Sequence, residues 1–235
     1  MAKRRFLILI HLGLLIAGNA VILPACAPGI TSSETVRFAS DIEAFLHEDR
    51  VNPPPKGAIL FTGSSIFRQW THLKEQMAPL PVFNRAFGGS RTADVLFHMD
   101  RIVLPYEPKI IVYYCGSNDI NASEKPADIL RRFREFSERV EDRLPDTQLF
   151  YVSINRAPQK RDKWYLVDST NALVKEYCAA TKNRAFIDVN PVLFDKENRP
   201  RLELYRDDQL HFKEQAYEEF TAIIKPVVEK AWKQK

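Results

Sequence analysis

The sequence contains five short apolar runs, and stretches with helical spacing of apolar residues lie between and after them. The runs predict strands at 58–62, 81–84, 109–115, 149–153 and 185–189. Several consist of Ile, Val, Leu, Phe and Tyr without polar alternation, which is typical of strands covered on both faces. The intervening stretches predict helices at 66–77, 92–104, 126–144, 164–181 and 213–233. Alternating strands and helices favour one α/β domain with a parallel sheet between helical layers.

Length and composition agree with a single domain. The chain has 235 residues, of which 45% are hydrophobic and 27% are charged, enough apolar surface for one full core. Residues 36–46 have apolar residues at helical spacing, and we expect them to pack on the domain. The prolines of 52–57 predict a stiff connector.

The N-terminus predicts export. Residues 1–25 have three basic residues at positions 3–5, then an apolar stretch and small residues near the end, as in a signal peptide or membrane anchor. The sequence Leu23-Pro24-Ala25-Cys26 resembles a bacterial lipobox, in which the cysteine is lipidated. A retained anchor and ordinary cleavage are the alternatives, since about 18 apolar residues is the lower bound for a span. Residues 26–34 have the composition of a tether, and 35–235 form the predicted domain, held at the cell envelope.

Charge and cysteine content exclude several kinds of protein. Subtracting the N-terminal Lys3, Arg4 and Arg5 from the formal charge of +4 leaves +1, and no aromatic-basic stripe predicts a nucleic-acid partner. We expect Cys115 and Cys178 to be buried thiols rather than a disulfide. No Cys/His spacing indicates zinc, so neither metal nor cofactor is expected.

Polar residues follow the predicted strands and identify the edge where ligands should bind. The first four runs lead into "GSSI" at 63–66, "NRAFGGSRT" at 84–92, "CGSNDI" at 115–120 and "SINRAP" at 153–158. In an open parallel sheet, ligands bind beyond the carboxyl ends of the strands. These four segments should therefore converge on one cleft.

Asp208 and His211 lie three residues apart, just before the last predicted helix. A carboxylate that accepts the Nδ1–H of an imidazole fixes its tautomer and leaves Nε2 free to take a proton from a serine. The alternative is a helix-capping aspartate followed by a surface histidine. Asp207 is a rival orienting carboxylate, but its spacing to His211 is four residues.

Four segments together carry a resemblance to a known family. "GSSI", "NRAFGGSRT", "GSND" at 116–119 and "DDQLH" at 207–211 occur in the order of the sequence blocks of the SGNH-hydrolase superfamily, the GDSL-like esterases and lipases. The resemblance covers the chain from about residue 58 to its end. It implies a flavodoxin-like three-layer α/β/α fold around a mainly five-stranded parallel sheet.

The resemblance also implies the catalytic residues. Ser65 would be the nucleophile, His211 the general base and Asp208 its orienting carboxylate. The oxyanion hole would combine the backbone N–H groups of Ser65 and Gly89 with the side-chain amide of Asn118. No G-x-S-x-G elbow is present, which disfavours an α/β-hydrolase.

The chain departs from the family pattern at two positions. Ser64 stands where the family has aspartate, and Ala86 replaces a glycine often found in the second block. Neither position supplies a catalytic group.

Other polar residues have simpler interpretations. We expect His47, His72 and His98 to be structural, and Asp119 to cap a turn or brace the site. Three arginines just past strand ends could contact an anionic or sugar substrate, although surface ion pairs are the simpler expectation; they are Arg68, Arg91 and Arg156.

The sequence thus predicts a serine esterase that acts on short acyl or acetyl esters of a small molecule, glycan or lipid. An O-acyltransferase using the same residues is the first alternative. The second is an inactive glycan- or lipid-binding module, which the presence of Ser65, His211 and Asn118 disfavours.

Overall fold

The computed structural model describes residues 38–234, which belong to one compact unit. The predicted signal peptide or anchor, the tether and Cys26 lie outside the described residues. None of the helices in residues 38–234 combines the length and apolar composition that crossing a bilayer requires.

Strands and helices alternate along the chain, as predicted. The strands are β1 (Ile59–Gly63), β2 (Val82–Asn84), β3 (Ile110–Tyr114), β4 (Gln148–Val152) and β5 (Arg184–Ile187). The helices are α1 (Ala39–Val51), α2 (Ser65–Arg68), α3 (Leu73–Met77), α4 (Thr92–Ile102), α5 (Ser117–Asn121), α6 (Pro126–Arg143), α7 (Trp164–Ala180) and α8 (Glu214–Lys233). Short 3₁₀ segments occupy Leu104–Tyr106, Pro158–Lys163, Asn190–Leu193 and Leu202–Leu204.

The five strands form one parallel sheet in the order β2-β1-β3-β4-β5. This is the flavodoxin-like order, in which the connections leave β1 toward opposite edges of the sheet. The carboxyl ends of β1 and β3 therefore form the topological switch point where such sheets bind ligands. The predicted three-layer α/β/α fold is confirmed.

Each strand contributes alternate side chains to two separate cores. On β1, Ile59 and Phe61 belong to the core under α2, α3 and α8, whereas Leu60 belongs to the core under α1, α4, α6 and α7. On β3, Val112 belongs to the first of these cores and Tyr113 to the second. Because successive side chains of a strand point to opposite faces, a continuous apolar run fills both cores at once.

The prediction of a single helix at 66–77 is wrong. The chain forms α2 and α3 with a turn between them, and Trp70 lies in that turn at 2% exposure. The Trp70 ring packs 5.7 Å from Phe61 and 5.3 Å from Tyr217, and its Nε1–H donates to Gln76 Oε1 at 2.6 Å. Tertiary packing of this indole outweighs local helix propensity. The first helix is also displaced from the predicted 36–46, since it begins at Ala39 and ends at Val51.

Gly63 closes β1 against β3 in a way that no other residue permits. Its φ is +128°, a conformation that side chains rarely adopt, and it pairs with Tyr114. A Cβ at this position would lie 1.8 Å from the Tyr114 carbonyl oxygen. The following residue, Ser64, donates its N–H to that same oxygen at 2.9 Å. The glycine therefore fixes how closely the strand end approaches its neighbour.

We expect Gly63→Ala to lower the free energy of unfolding by about 2 kcal/mol or more, because it combines a strained φ with a backbone clash. Gly57→Ala is the matched control, since Gly57 also has positive φ, +72°, but its added Cβ meets nothing within 4 Å. Urea unfolding measures both variants. Equal midpoints for the two would show that the approach to Tyr114 does not matter.

Candidate active site

Ser65 is the first residue of α2 and follows β1 after one intervening residue. Ser64 is 1% exposed and extended, whereas Ser65 is partly exposed at the carboxyl edge of the sheet. No described group accepts a hydrogen bond from the Ser65 backbone N–H. The rigid strand thus presents a hydroxyl and a free backbone donor at the same point.

Asp208 and His211 are joined by a compact local turn. The His211 Nδ1 lies 2.6 Å from Asp208 Oδ2, and the His211 backbone N–H donates to Asp208 Oδ1 at 2.9 Å. Leu210 N–H also donates to Asp208 Oδ1, at 3.0 Å. One carboxylate therefore holds both the backbone and the ring of His211. A spacing of three residues allows this because the turn brings the Asp208 carboxylate next to the His211 backbone N–H and Nδ1.

The Asp208 carboxylate is ionised at neutral pH. Partial burial acts to raise the pKa of Asp208, but the hydrogen bonds from His211 and Leu210 outweigh it and lower that pKa to about 2. The side chain is 48% exposed, so these hydrogen bonds rather than a buried setting hold it in place. Asp207 makes no side-chain hydrogen bond or ion pair among the described residues, and the structure pairs His211 with Asp208 instead.

The other ring nitrogen of His211 reaches the serine. Nε2 lies 2.9 Å from Ser65 Oγ, although the two residues are 146 positions apart in sequence. With the Nδ1 proton directed at Asp208, Nε2 is the acceptor of the Ser65 hydroxyl. The structure thus places all three predicted members of the triad in one hydrogen-bonded chain.

The core under α8 holds the histidine in reach of α2. Phe212 is fully buried, and its ring packs 4.9 Å from Tyr205 and 5.0 Å from Phe220. Tyr217, on α8, donates its hydroxyl to the carbonyl of Ile66 in α2 at 2.9 Å. The segment that carries His211 is therefore fixed to the helix that carries the serine.

The loops after β1, β2 and β3 meet beside Ser65. Ser90 donates its hydroxyl to the Gly63 carbonyl at 3.1 Å. The Asn118 side-chain amide donates to the Ser90 carbonyl at 2.9 Å and to Ser64 Oγ at 2.8 Å. Gly89, with φ +78°, directly precedes Ser90 in the loop after β2. The Asn118 amide is therefore bonded to the residues next to Ser65 and Gly89 in the chain, the other two predicted oxyanion donors.

Asp119 braces this arrangement from behind. It is fully buried and accepts hydrogen bonds from the backbone and hydroxyl of Thr92, at 3.1 and 2.5 Å, and from Arg132 at 3.1 Å. Burial raises the pKa of Asp119, while the Thr92 bonds and the Arg132 charge oppose the rise. The residue joins α5 to the start of α4, and its side-chain hydrogen bonds within residues 38–234 go to Thr92 and Arg132 rather than to the triad.

The three arginines past the strand ends all form ion pairs. Arg68 pairs with Asp41 at 2.5 Å, Arg91 with Glu124 at 3.5 Å and Arg156 with Asp168 at 2.6 Å.

The other histidines and cysteines among residues 38–234 make no hydrogen bond to the triad residues. His98 is buried beside Phe87, and burial lowers its pKa. His72 is exposed and pairs with Glu214 at 3.0 Å. His47 is exposed on α1. Cys115 and Cys178 are buried free thiols.

Sequence reasoning missed the connecting roles of Ser64 and Ser90. Both occur in the quoted segments, but a serine there gives no sign of which backbone or amide it will contact. Among residues 38–234, no group of three His, Cys, Asp or Glu side chains is arranged to hold a metal ion.

Comparison with solved structures finds the same fold repeatedly. A GDSL-like lipase from Bacteroides thetaiotaomicron superposes with a TM-score of 0.70 at 19% identity, over 81% of this chain and 98% of that one. The lipase/acylhydrolase from Enterococcus faecalis gives 0.61 at 21% identity, over 74% and 96%. A carbohydrate esterase of family 3 from Talaromyces cellulolyticus gives 0.61 at 14% identity, over 77% and 100%. No curated protein matches the sequence.

The sequence itself matches a family. Residues 57–219, more than half of the 235-residue chain, match the GDSL-like Lipase/Acylhydrolase family, the family that the order of the four segments predicts. The match includes Ser65, Asn118 and the Asp208–His211 pair. The chain therefore belongs to the GDSL-like Lipase/Acylhydrolase family within the SGNH hydrolases, and it is a carboxylic ester hydrolase.

Proposed function

We propose that the protein hydrolyses carboxylic esters through an acyl-enzyme on Ser65. The observation that carries the proposal is the continuous chain from Asp208 through His211 to the Ser65 hydroxyl, with contacts of 2.6 and 2.9 Å. Such a chain allows a hydroxyl that is a weak nucleophile at neutral pH to react.

The first half of the reaction makes the acyl-enzyme. Ser65 Oγ attacks the ester carbonyl while its proton moves to Nε2 of His211, and the ionised Asp208 stabilises the resulting imidazolium. The tetrahedral intermediate then collapses, the bond to the alcohol oxygen breaks, and His211 returns the proton to that oxygen. In the second half, His211 takes a proton from water as the water oxygen attacks the acyl carbon. The bond from that carbon to Ser65 Oγ then breaks, His211 returns the proton to Oγ, and the acid is released.

The oxyanion would be held by the N–H of Ser65, the N–H of Gly89 and the amide of Asn118. Both amide hydrogens of Asn118 have protein acceptors, the Ser64 hydroxyl and the Ser90 carbonyl. A substrate oxygen must therefore share or replace one of them. The Ser64 hydroxyl is the replaceable partner, because it can rotate and it belongs to the residue next to the nucleophile. A developing negative charge is a stronger acceptor than a neutral hydroxyl, so the exchange favours the transition state over the bound ester.

An open site favours small acyl groups on an accessible substrate. Ser65, Asn118 and His211 are each partly exposed, and no long insertion covers them in residues 38–234. A second feature on the same edge is a cavity of about 490 Å³ beyond β4 and β5, whose lining includes the polar residues Arg156, Asp188 and Asn190. We therefore propose acetyl or short acyl esters on a hydroxyl-rich carrier, such as a carbohydrate, as the preferred substrate. An acetyl esterase and the family 3 carbohydrate esterase are among the proteins with this fold.

We further propose that the domain is held at the cell envelope by lipid on Cys26. The described chain begins at the catalytic edge: Phe38 packs 5.0 Å from Phe87 in the loop after β2, and Asp41 pairs with Arg68 at the end of α2. The 11 residues at 27–37 span at most about 40 Å when fully extended. Such a tether would keep the catalytic edge within that reach of the membrane surface.

Ser65→Ala should reduce hydrolysis of p-nitrophenyl acetate by about 10³-fold or more, since no other group replaces the nucleophile. A fluorophosphonate probe should label the native protein on Ser65 and fail to label the variant. Ser169→Ala, which removes an exposed hydroxyl on α7, is the control. Undiminished turnover in Ser65→Ala would disprove the acyl-enzyme assignment.

A second experiment distinguishes hydrolysis from acyl transfer. The native protein is supplied with an acetylated sugar and a free sugar acceptor: hydrolysis forms free acetate, whereas acyl transfer forms the acetylated acceptor.

Asp208→Asn should lower kcat by about 10²- to 10⁴-fold, because an amide neither stabilises the imidazolium nor enforces the tautomer. Asp207→Asn is the matched control: it removes the same charge one residue away and should leave kcat within about twofold. Steady-state kinetics at pH 7 measures both. A larger loss in Asp207→Asn would transfer the orienting role to that residue.

Cys26→Ser should abolish incorporation of radiolabelled fatty acid, whereas Ser33→Ala, in the same segment, should not. Labelling and fractionation of cells expressing the full chain provide the measurement. An unlabelled native protein in the membrane fraction would indicate an uncleaved anchor. A soluble, unlabelled native protein would indicate ordinary cleavage, and either result contradicts lipidation.

A further inference from the structure

Lys160 is a buried ammonium that the proposed reaction does not use. It lies in the 3₁₀ segment Pro158–Lys163 at 3% exposure. Its Nζ donates to Ser117 Oγ at 2.7 Å and to the Ser117 carbonyl at 3.1 Å. Both acceptors are neutral, and no described carboxylate pairs with Lys160. Burying a charge without an ionised partner is costly, so stability alone would favour a neutral side chain here.

The lysine contacts the segment that carries the oxyanion amide. Ser117 is the first residue of α5 and directly precedes Asn118. The same 3₁₀ segment reaches the triad, because the Gln159 N–H donates to the carbonyl of Gln209 at 3.2 Å, and Gln209 lies between Asp208 and His211. The Lys160 segment therefore joins the two halves of the site.

We propose that Lys160 is a positioning residue for the oxyanion hole, holding Ser117 so that the Asn118 amide faces the reacting carbonyl oxygen and placing a positive charge behind it. The inference rests on the proposed role of Asn118. Donors aimed in advance at a developing charge cost no reorganisation during the reaction, and a fixed cation near them adds to the same field. Two hydrogen bonds from one ammonium to Ser117 restrict both the side chain and the backbone from which Asn118 extends.

Protonation of Lys160 makes the hydrogen bonds from its ammonium to Ser117 dependent on pH. Burial, together with the charge of Lys163, lowers the pKa of Lys160 to about 8. The ammonium is therefore present below that pH and is lost as the pH rises through it.

Other charged or titratable groups lie on the elements around Lys160. On the same segment they are Arg161, Asp162 and Lys163. On neighbouring elements they include Tyr114 and Asp119 on either side of Ser117, Asp168 on α7, and Asp208 and His211 on the triad loop. Of these, only Lys163 contributes to the shift of the Lys160 pKa.

The test compares Lys160→Met with Lys160→Arg on the intact protein. Methionine removes the charge but retains an unbranched stem, so kcat for p-nitrophenyl acetate should fall about 10- to 100-fold with KM nearly unchanged. That loss is smaller than the about 10²–10³ expected for removing a donor itself. Arginine keeps a charge that does not titrate, so it should restore most of the activity and abolish the alkaline loss of kcat near pH 8.

Two further variants keep the test decisive if arginine does not fit. Ser117→Ala removes the hydroxyl that accepts a hydrogen bond from the Lys160 ammonium, so the alkaline loss of kcat should occur at lower pH. Lys163→Met is the charge-matched control: Lys163 contacts the far end of α5, at Asn121 O and Ser123 Oγ, and its removal should raise the pH of that loss without lowering kcat. Thermal midpoints for all variants identify any that fail to fold.

A readout independent of turnover is the side-chain amide resonance of Asn118, which should shift in Lys160→Met and not in Lys163→Met. Unchanged kcat, pH profile and amide resonance in Lys160→Met would overturn the proposal. So would an equal loss in Lys160→Met and Lys160→Arg with the alkaline loss intact in a folded protein, because packing alone would then explain it. Fluorophosphonate labelling of the native Ser65 separates these failures from failure of the nucleophile assignment.

Discussion

The close approach of β1 to β3 at Gly63 determines the geometry of the whole site. At this residue the β1 backbone contacts the Tyr114 carbonyl so closely that no side chain fits, and the next N–H bonds to that carbonyl. The Gly63 carbonyl in turn accepts from Phe87 N–H and from the Ser90 hydroxyl, which belong to the loop after β2. Three strand ends are thus fixed around one glycine. The proposed nucleophile and the proposed oxyanion donors extend from these ends, so their separation is set by backbone pairing rather than by flexible side chains.

The histidine reaches this edge by a different means. It lies 146 residues from the serine and belongs to no strand, so sheet pairing cannot position it. Aromatic packing does so instead, through the buried rings of Phe212 and Tyr217 and the bond from Tyr217 to the start of the nucleophile helix. Asp208 then needs no burial, because its carboxylate is held by three hydrogen bonds from its own turn. Backbone pairing of the strands therefore positions Ser65 and Asn118, whereas packing of the core under α8 positions His211.

Most of the fold follows from local pattern, and most of the fine geometry of the site does not. The strands were predictable because each buries both faces and so reads as an uninterrupted apolar run. The prediction of one continuous helix at 66–77 was wrong because the position of the Trp70 side chain depends on its packing against Tyr217, a residue far away in sequence. The meeting of Ser65, Asn118 and His211 could be expected from the order of the strand ends and the family resemblance. The contacts of Ser64, Ser90 and Lys160 could not, since each depends on which neighbouring loop lies within 3 Å after folding.

The departure from the family at position 64 has a physical consequence at Asn118. A carboxylate there would accept the amide through a charge-assisted hydrogen bond, whereas the Ser64 hydroxyl accepts it through a weaker neutral one. A weaker acceptor gives up the amide to a substrate oxygen more readily, but it also orients that amide less firmly between turnovers. A carboxylate beside the nucleophile would further repel the oxyanion. The neutral residue removes that repulsion. On the roles proposed above, the other contacts around Asn118 then orient the amide: its hydrogen bond to the Ser90 carbonyl and, through Ser117, the Lys160 ammonium.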